Sequence, residues 1–412
     1  MSKVIDPGDV LLKRVLLSNK NLKASINPTD QLESFDIYED MSKPTLYATF
    51  LFFDSIGLLE NFPIIGEEEI SIDFQTPGMS TITTYNFRCF EVTGIARTPN
   101  GKGTYFTMRC VSEEHLYNTG TSVSQSYTDV TSNIVPNLLG RYLKSKKTLI
   151  MDETKGIQTL IMPNINALQA IDLCRQRSVS KKYPSSAYVF FENQSGFNFK
   201  TVEGLIAGGL SSIGSRVFNM TQNPEASKQA RADAFRAILQ YENITRSDSV
   251  EKLEGGVFQA VTKTFDLATK KMDSVDFNLN TVFDKFKLPD KQQIPNTDNF
   301  INTFASLVPK TFFAPRDTSR PDNFIDTMIA ARNSFAILLN GNITRVKIHG
   351  DTGLKAGDLI TLNLPDATGT TDRKGLDDKS AGNYLILRLR HMVTLSTKNQ
   401  HQIVMDCARM GI

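Results

Sequence analysis

The sequence has no tryptophan and only four histidines and four cysteines among its 412 residues. The cysteines, at positions 89, 110, 174 and 407, form no CxxC pair, which excludes the usual zinc and redox motifs. We expect all four to be reduced, mostly buried thiols of a protein made in a cytoplasm. The histidines never fall at ligand spacing from a carboxylate or a thiol. Hydrolase and phosphate-loop motifs are also missing, so the sequence predicts no catalytic residue, no metal ligand and no cofactor.

Excess charge and long apolar runs are lacking as well. Formal net charge is +2, from 46 basic and 44 acidic residues, which argues against a dedicated nucleic-acid binder. No apolar run approaches the roughly 20 residues that span a bilayer, so we expect no membrane insertion. Residues 6–9 (DPGD) interrupt the start of the chain, and we expect no signal peptide. The length predicts two to four domains.

A repeated pattern of strands is the most informative feature that is present. Three stretches near the start recur in order and at similar spacing near the end, namely residues 66–74, 87–95 and 105–110, and residues 357–364, 384–392 and 401–407. Each stretch alternates apolar and polar residues, which is the period of a half-buried strand. The repeat predicts two versions of one antiparallel β domain and favours symmetric assembly over chemistry. Phe50, Phe52, Ile70 and Ile72 should point into the first core.

The middle of the chain differs from both ends. Residues 128–139 and 166–177 have helical periodicity, with Asn164 or Asn166 as a cap for the second helix. Residues 187–199 predict a hairpin. We therefore expect a multidomain protein of mixed β and α+β class, with these parts: a first β domain with an N-terminal arm at 1–112, a small α+β domain at 113–205, a linker at 206–234, a second, discontinuous β domain at 235–275 and 330–412, and an inserted irregular or helical domain at 276–329.

Two groups of residues are candidates for contacts with other proteins. In the second module both faces of the strand at 359–364 are partly apolar, and one of the two parities contains Leu359, Thr361, Leu385, Leu387 and Leu389. Such a strand is either sandwiched within its own domain or covered by another subunit, and we favour the subunit contact.

The second group is basic and follows the first helix of the α+β domain. Its members are Arg141, Lys144, Lys146 and Lys147. One interpretation is a helix end that complements its dipole, followed by a solvated turn. The other interpretation is a contact with an acidic partner protein.

Several stretches resemble the baseplate hub subunits of contractile-tailed phages of the T-even type. Residues 35–40 and 52–68 look like the opening of those proteins, residues 190–202 resemble a second stretch, and residues 381–391 resemble their final barrel. The similarity spans most of the chain, but residues 206–330 carry little of it.

The resemblance implies two tail-tube-like β-barrel or sandwich domains per subunit, the second split by an inserted domain. Three subunits would form a homotrimeric ring of six such domains. That ring would join the six-fold tail tube, or its initiator protein, to the three-fold central spike and other baseplate proteins. DNA would leave through the ring without specific binding. The protein would be assembled in the host cytoplasm and reside in the virion tail.

Two other functions remain open on the sequence alone. A hub subunit of a non-viral contractile injection machine would share the fold and pass no genome. A cytoplasmic enzyme on a β-rich scaffold is the alternative from a different class.

Overall fold

The computed structural model describes residues 6–19, 23–62, 64, 66–79, 81–99, 101–211, 213–220, 234–245, 249–266, 270–288, 304–311, 324–364, 380–396 and 398–409.

Strands make up about half of the described chain, because alternating apolar and polar residues bury one face of an extended segment. The strands are β1 (Leu11–Asn19), β2 (Ala24–Ile26), β3 (Leu32–Asp40), β4 (Tyr47–Asp54), β5 (Glu69–Gln75), β6 (Thr83–Arg97), β7 (Thr104–Val111), β8 (Val123–Asp129), β9 (Leu149–Met151), β10 (Thr154–Lys155), β11 (Gln158–Ile165), β12 (Val179–Ser180), β13 (Tyr188–Asn193), β14 (Gly196–Thr201), β15 (Val217–Asn219), β16 (Ile238–Thr245), β17 (Gln259–Asp266), β18 (Lys271–Asn278), β19 (Phe304–Thr311), β20 (Ile343–His349), β21 (Leu359–Asn363), β22 (Gly382–Thr394) and β23 (Gln400–Ala408).

Helices are short and lie between the strands. They are α1 (Leu58–Asn61), α2 (Glu113–Thr119), α3 (Thr131–Arg141), α4 (Ala167–Arg177), α5 (Val202–Leu210), α6 (Ser249–Glu254), α7 (Leu279–Val282) and α8 (Ile325–Asn340). The predicted cap of α4 is confirmed at Asn166, whose side chain accepts a hydrogen bond from the Gln169 backbone at 2.9 Å. Among the helices of the described residues, none has the length and apolar character required to span a bilayer.

One large sheet contains both predicted modules. Its strand order is β16-β20-β23-β22-β3-β4-β7-β6-β5-β1-β2, with β21 paired to β22 and β15 to β21. The N-terminal module (β3–β7) has the order β5-β6-β7-β4-β3. The C-terminal module (β16 and β20–β23) has the order β21-β22-β23-β20-β16. The two orders are the same, as the repeat in the sequence predicts. The modules join where β22 pairs with β3.

The core of the N-terminal module lies on one face of this sheet. Phe50, Phe52, Ile70 and Ile72 are all buried there, which confirms the predicted strand parity. The Phe52 ring stacks on Phe106 with 5.2 Å between centroids. The N-terminal arm contributes β1, which pairs with β5 and adds buried apolar side chains to this core. The four cysteines are buried and free.

The small α+β domain has its own core beside the sheet. The predicted hairpin is present as β13 and β14, with Phe190 opposite Phe199, and β9 adds a parallel strand. Helices α3 and α4 pack against each other and share this core. A third unit consists of β18, β17 and β19, against which α8 packs.

Two of the predicted segments need correction. The predicted linker at 206–234 is structured at its start, because α5 continues to Leu210 and β15 pairs in parallel with β21, burying Phe218. Strand β17, which we placed in the second β domain, pairs with β18 and β19, so among the described residues of 235–275 only β16 joins the large sheet. Residues 221–233 of the linker and 289–303 and 312–323 of the inserted domain lie outside the described residues.

Candidate assembly interface

The two modules match in detail as well as in strand order. Between β6 and β7 the pairing shifts by one residue after Cys89, so that Phe90 is bulged. Between β22 and β23 the same shift follows Ile386 and leaves Leu387 bulged. The partners of the two shifts are Cys110 and its counterpart in β23, which is also a cysteine. Strands β6 and β22 are therefore equivalent residue by residue around this point.

A second shared bulge aligns the outer strands of the modules. The pairing of β3 with β4 shifts at Glu33, and the pairing of β16 with β20 shifts at Leu239. Strand β3 is thus the counterpart of β16, with Asp36 equivalent to Glu242. Since β3 pairs with β22 inside the chain, the equivalent partner of β16 is a strand of the β6 type.

The junction of β3 and β22 carries ion pairs on its exposed face. Arg390 donates two hydrogen bonds to Asp36, at 3.2 and 2.8 Å. Arg388 lies 3.3 Å from Asp40 and 3.7 Å from Asp406. Arg388, Arg390, Asp40 and Asp406 line a depression of about 330 Å³ at the junction. The exposed face is therefore concave here, and its arginines are paired with carboxylates.

The same exposed site carries an ion pair in each module, but the charges are exchanged. In the N-terminal module Arg109 of β7 contacts Glu91 of β6 at 2.8 Å. At the equivalent positions of the C-terminal module, Asp406 of β23 faces Arg388 of β22. Arg345 also reaches Asp406, at 2.8 Å. Charge balance on this face is thus a property of both modules.

A chain of polar side chains is buried beneath the junction. The Nδ1 atom of His391 lies 3.0 Å from Nε2 of His401, and Tyr85 donates a hydrogen bond to Glu39 at 3.0 Å. Glu39 also accepts from the backbone N–H groups of Ala356 (2.7 Å) and Gln194 (2.8 Å). This carboxylate therefore connects β3 to both the C-terminal module and the α+β domain.

Burial sets the protonation states of the polar side chains in this series. It lowers the pKa of His391 to about 3 and raises the pKa of Glu39 to about 7. The pKa of His401 is also held well below its usual value by burial and by His391. No local sequence pattern indicates the histidine pair, because the two residues come together only through the register of β22 and β23. Within the described residues no group of three or more potential ligands could hold a metal ion.

Within the described residues, each module has one strand edge without a partner strand, although the equivalent edge of the other module is paired. On the side opposite β7, residues 91–97 of β6 pair with no strand in the described part of the chain, whereas the equivalent half of β22 pairs with β3. Strand β16 pairs with β20 on one side only within the same part. Both edges expose apolar side chains, namely Phe90, Ile95, Leu239, Tyr241 and Ile244.

The predicted subunit contact is wrong for three of its five residues. Leu359, Leu385 and Leu389 are fully buried within this chain, so no surface of theirs remains for a neighbour. The first two pack with side chains of α5 and α8, which cover this part of the sheet, and Leu389 lies in the core of the C-terminal module. The alternative, burial within the subunit, therefore applies to them. Thr361 and Leu387 keep some exposure, and their contact with another subunit stays a prediction.

The predicted basic cluster is divided by the fold. Lys147 lies 2.6 Å from both Glu114 and Glu192, which are almost completely buried, so its charge is compensated within the chain. Arg141, Lys144 and Lys146 are exposed. A contact of these three with an acidic partner stays a prediction.

Comparisons with known proteins bear on this architecture. The probable baseplate hub protein gp334 of Vibrio phage KVP40 is 20% identical over 408 residues, which cover 93% of this chain and 91% of that protein. A tail protein of Neisseria meningitidis MC58 superposes with a TM-score of 0.57 at 10% identity, over 96% of each chain. The 43 kDa tail protein of prophage MuSo2 from Shewanella oneidensis gives a TM-score of 0.56 at 7% identity, over 96% of this chain and 98% of its own.

No family model matches the chain. The two solved structures show that the fold is shared, with its large antiparallel sheet and its additional small domains. The curated relative extends the similarity to nearly the whole sequence. The chain is therefore similar to a phage baseplate hub protein in sequence and to phage tail proteins in fold, which confirms the resemblance found in its sequence.

Proposed function

We propose that this chain is a structural subunit of a phage baseplate hub, three copies of which form a ring with pseudo-six-fold symmetry. The observation that carries the proposal is the duplicated module, joined edge to edge within one chain. One chain supplies two equivalent units, so three chains supply six. Such a ring can bind a six-fold tail tube on one side and a three-fold spike on the other.

Ring closure follows from the way in which the modules are joined. The β3–β22 junction is heterologous, because one edge of one module meets a different edge of the next. Heterologous contacts close into a ring when the rotation per unit divides a full turn evenly. A rotation of one sixth of a turn at every junction would close the ring after three chains.

The exposed face of the sheet is the face that would line the channel. Its opposite face is already covered by the cores of the two modules. Arginines on the exposed face are paired with carboxylates, as in the Arg390–Asp36 and Arg109–Glu91 pairs. Unpaired basic side chains would bind the phosphates of passing DNA and hold it back. A charge-balanced wall would let DNA leave without specific binding.

The proposed hub has other tail proteins as its partners and a structural role. The spike, the tail tube or its initiator, and other baseplate proteins are the expected partners, and the virion tail is the expected location. The named relatives are tail and baseplate proteins, which is consistent with a structural rather than an enzymatic role.

Electron microscopy of the purified chain, alone and with the spike and tube proteins of the same phage, tests the proposal. We expect rings of three copies with an open channel and a nearly six-fold inner wall. Particles without a channel, or rings with another number of copies, would contradict it. Rings that assemble in tails carrying no genome would instead favour a non-viral injection machine.

A further inference from the structure

The junction inside the chain specifies how two chains meet. We propose that residues 91–97 of β6 pair in antiparallel fashion with β16 of a second copy, reproducing the β3–β22 junction between chains. The inference rests on the proposed trimer and adds to it the two edges and their register.

The equivalence of the strands gives the partners. Strand β22 uses residues 388–394 to pair with β3. The shared bulge, together with a further bulge of β6 at residues 94–95, makes residues 91–97 of β6 the counterparts of residues 388–393. Strand β16 is the counterpart of β3 because both carry the same bulge against the next strand. Each chain therefore forms the junction once internally, between β3 and β22. The two equivalent edges, on β16 and on residues 91–97 of β6, have no partner strand in the described part of the chain.

The exposed fractions of equivalent side chains in β3 and β16 support a neighbouring strand from a second copy beside β16. Phe35 of β3 is only 2% exposed, whereas its counterpart in β16, Tyr241, is 37% exposed. Val393 of β22 lies opposite Phe35 and is buried in the same core. No strand covers Tyr241 within the described part of the chain. An exposed edge with apolar side chains is an unfavourable feature for a soluble protein, and pairing with another strand removes it.

The apolar side chains on the two edges also complement each other. Ile95 of β6 is 61% exposed and Ile244 of β16 is 45% exposed. In the register of the internal junction both lie near the centre of the new strand pair. A second copy of this chain is thus the occupant that both edges fit.

The register predicts a residue pair for cross-linking. Within the junction, Met392 lies opposite Asp36. The counterpart of Met392 is Ala96, since Ala96 faces Tyr105 of β7 as Met392 faces Gln402 of β23. The counterpart of Asp36 is Glu242, so Ala96 of one chain should lie opposite Glu242 of the next. Directly opposite residues bring their Cβ atoms close enough for a disulfide, but residues displaced by two positions do not.

The test is disulfide formation in the double variant Ala96→Cys/Glu242→Cys under mild oxidation. We expect a covalent ladder on non-reducing denaturing gels that ends at the trimer, because each closed ring contains three bonds. The matched control is Ala96→Cys/Gln240→Cys, which shifts the partner two residues along the same face. Each single variant is a further control. The native cysteines are buried and should not interfere.

The outcomes separate the inference from the function on which it rests. A trimer by mass that forms no cross-link, or that cross-links equally well in the shifted control, would overturn the strand pairing and leave the trimer intact. A monomer at every concentration would overturn both. As a second readout, Ile95→Lys should abolish the trimer, while Ile157→Lys, at a comparably exposed position in the α+β domain, should not. Unchanged assembly of Ile95→Lys would also contradict the inference.

Discussion

The N-terminal and C-terminal modules share strand order and bulges but differ in what surrounds them. In the C-terminal module β3 pairs with one half of the long strand β22, whereas no strand in the described part of the chain pairs with the equivalent half of β6 on that side. The N-terminal module is attached to the α+β domain through buried charges, whereas the C-terminal module is attached through apolar side chains of α5 and α8. A duplicated fold thus keeps its backbone pattern and changes its contacts according to its neighbours.

The largest expected effect concerns the cores that the two modules have in common. Phe52→Ala should destabilise the subunit by about 3–5 kcal/mol, since the side chain is fully buried against Phe106. Its counterpart Ile348→Ala should cost about 2–5 kcal/mol for the same reason. Phe53→Ala, on the opposite face of the same strand, is the matched control and should cost less. Urea unfolding measures all three, and a larger cost for Phe53 than for Phe52 would refute the strand parity.

The next largest effect on stability is expected at the ion pairs of Lys147, which lie where the N-terminal module meets the α+β domain. Lys147→Met leaves Glu114 and Glu192 without their cation at 2.6 Å. The expected loss is about 2–3 kcal/mol, less than for a fully buried pair, because the Lys147 side chain is 31% exposed. Lys146→Met removes a neighbouring exposed charge and should change stability little. Equal melting temperatures for the two variants would show that the ion pairs contribute nothing to the attachment.

The buried histidines distinguish the modules in their response to pH, because the N-terminal module has Gly94 and Thr104 where the C-terminal module has His391 and His401. A histidine whose folded pKa lies below its unfolded value of 6.5 stabilises the fold above that pH, and this stability is lost as the pH falls. Each histidine should contribute a slope of about 1.4 kcal/mol per pH unit below about pH 6.

His401→Thr, which copies the N-terminal module, should therefore flatten the fall in unfolding free energy as the pH drops below about 6. Glu39 acts in the opposite sense, because its raised pKa gives stability that is present below 4.5 and lost as the pH rises through about 7. Since Glu39 is present in both proteins, the difference between them isolates His401. Parallel pH profiles would contradict a neutral, buried His401.

The smallest effect concerns the ion pair whose charges are exchanged between the modules. Glu91→Arg/Arg109→Asp gives the N-terminal module the arrangement of Arg388 and Asp406. Either single change should cost less than about 1 kcal/mol, because the pair is exposed, and the double change should recover most of that cost. A double-mutant cycle measures the coupling, and additive effects would show that the pair does not interact.

The sequence predicted what depends on local periodicity. The parity of Phe50 and Phe52, the cap at Asn166 and the hairpin around Phe190 follow from alternation or from spacing within one element. The burial of Leu359 and Leu385 could not be predicted in the same way, because α5 and α8, which cover them, come from distant parts of the chain. The parallel pairing of β15 and the separate sheet of β17 likewise depend on partners far away in sequence.

At the candidate interface, too, some features follow from local sequence and others depend on distant strands. Leu387 belongs to the apolar parity of its strand that predicted a subunit contact, and the structure places it at a bulge that Phe90 reproduces in the other module. The open edges themselves gave no local signal, since an edge is defined by the strand that is missing. They are identified by comparing β22, which β3 covers, with β6, which no strand among the described residues covers on the same side.

The mass of the assembly in solution tests the central claim most directly. Sedimentation equilibrium of the purified chain at micromolar concentration should give three times the subunit mass of 45.9 kDa. The measurement should be repeated with the candidate spike protein, since that partner could complete the ring. A folded monomer or dimer under both conditions would contradict a trimer built from two equivalent modules per chain.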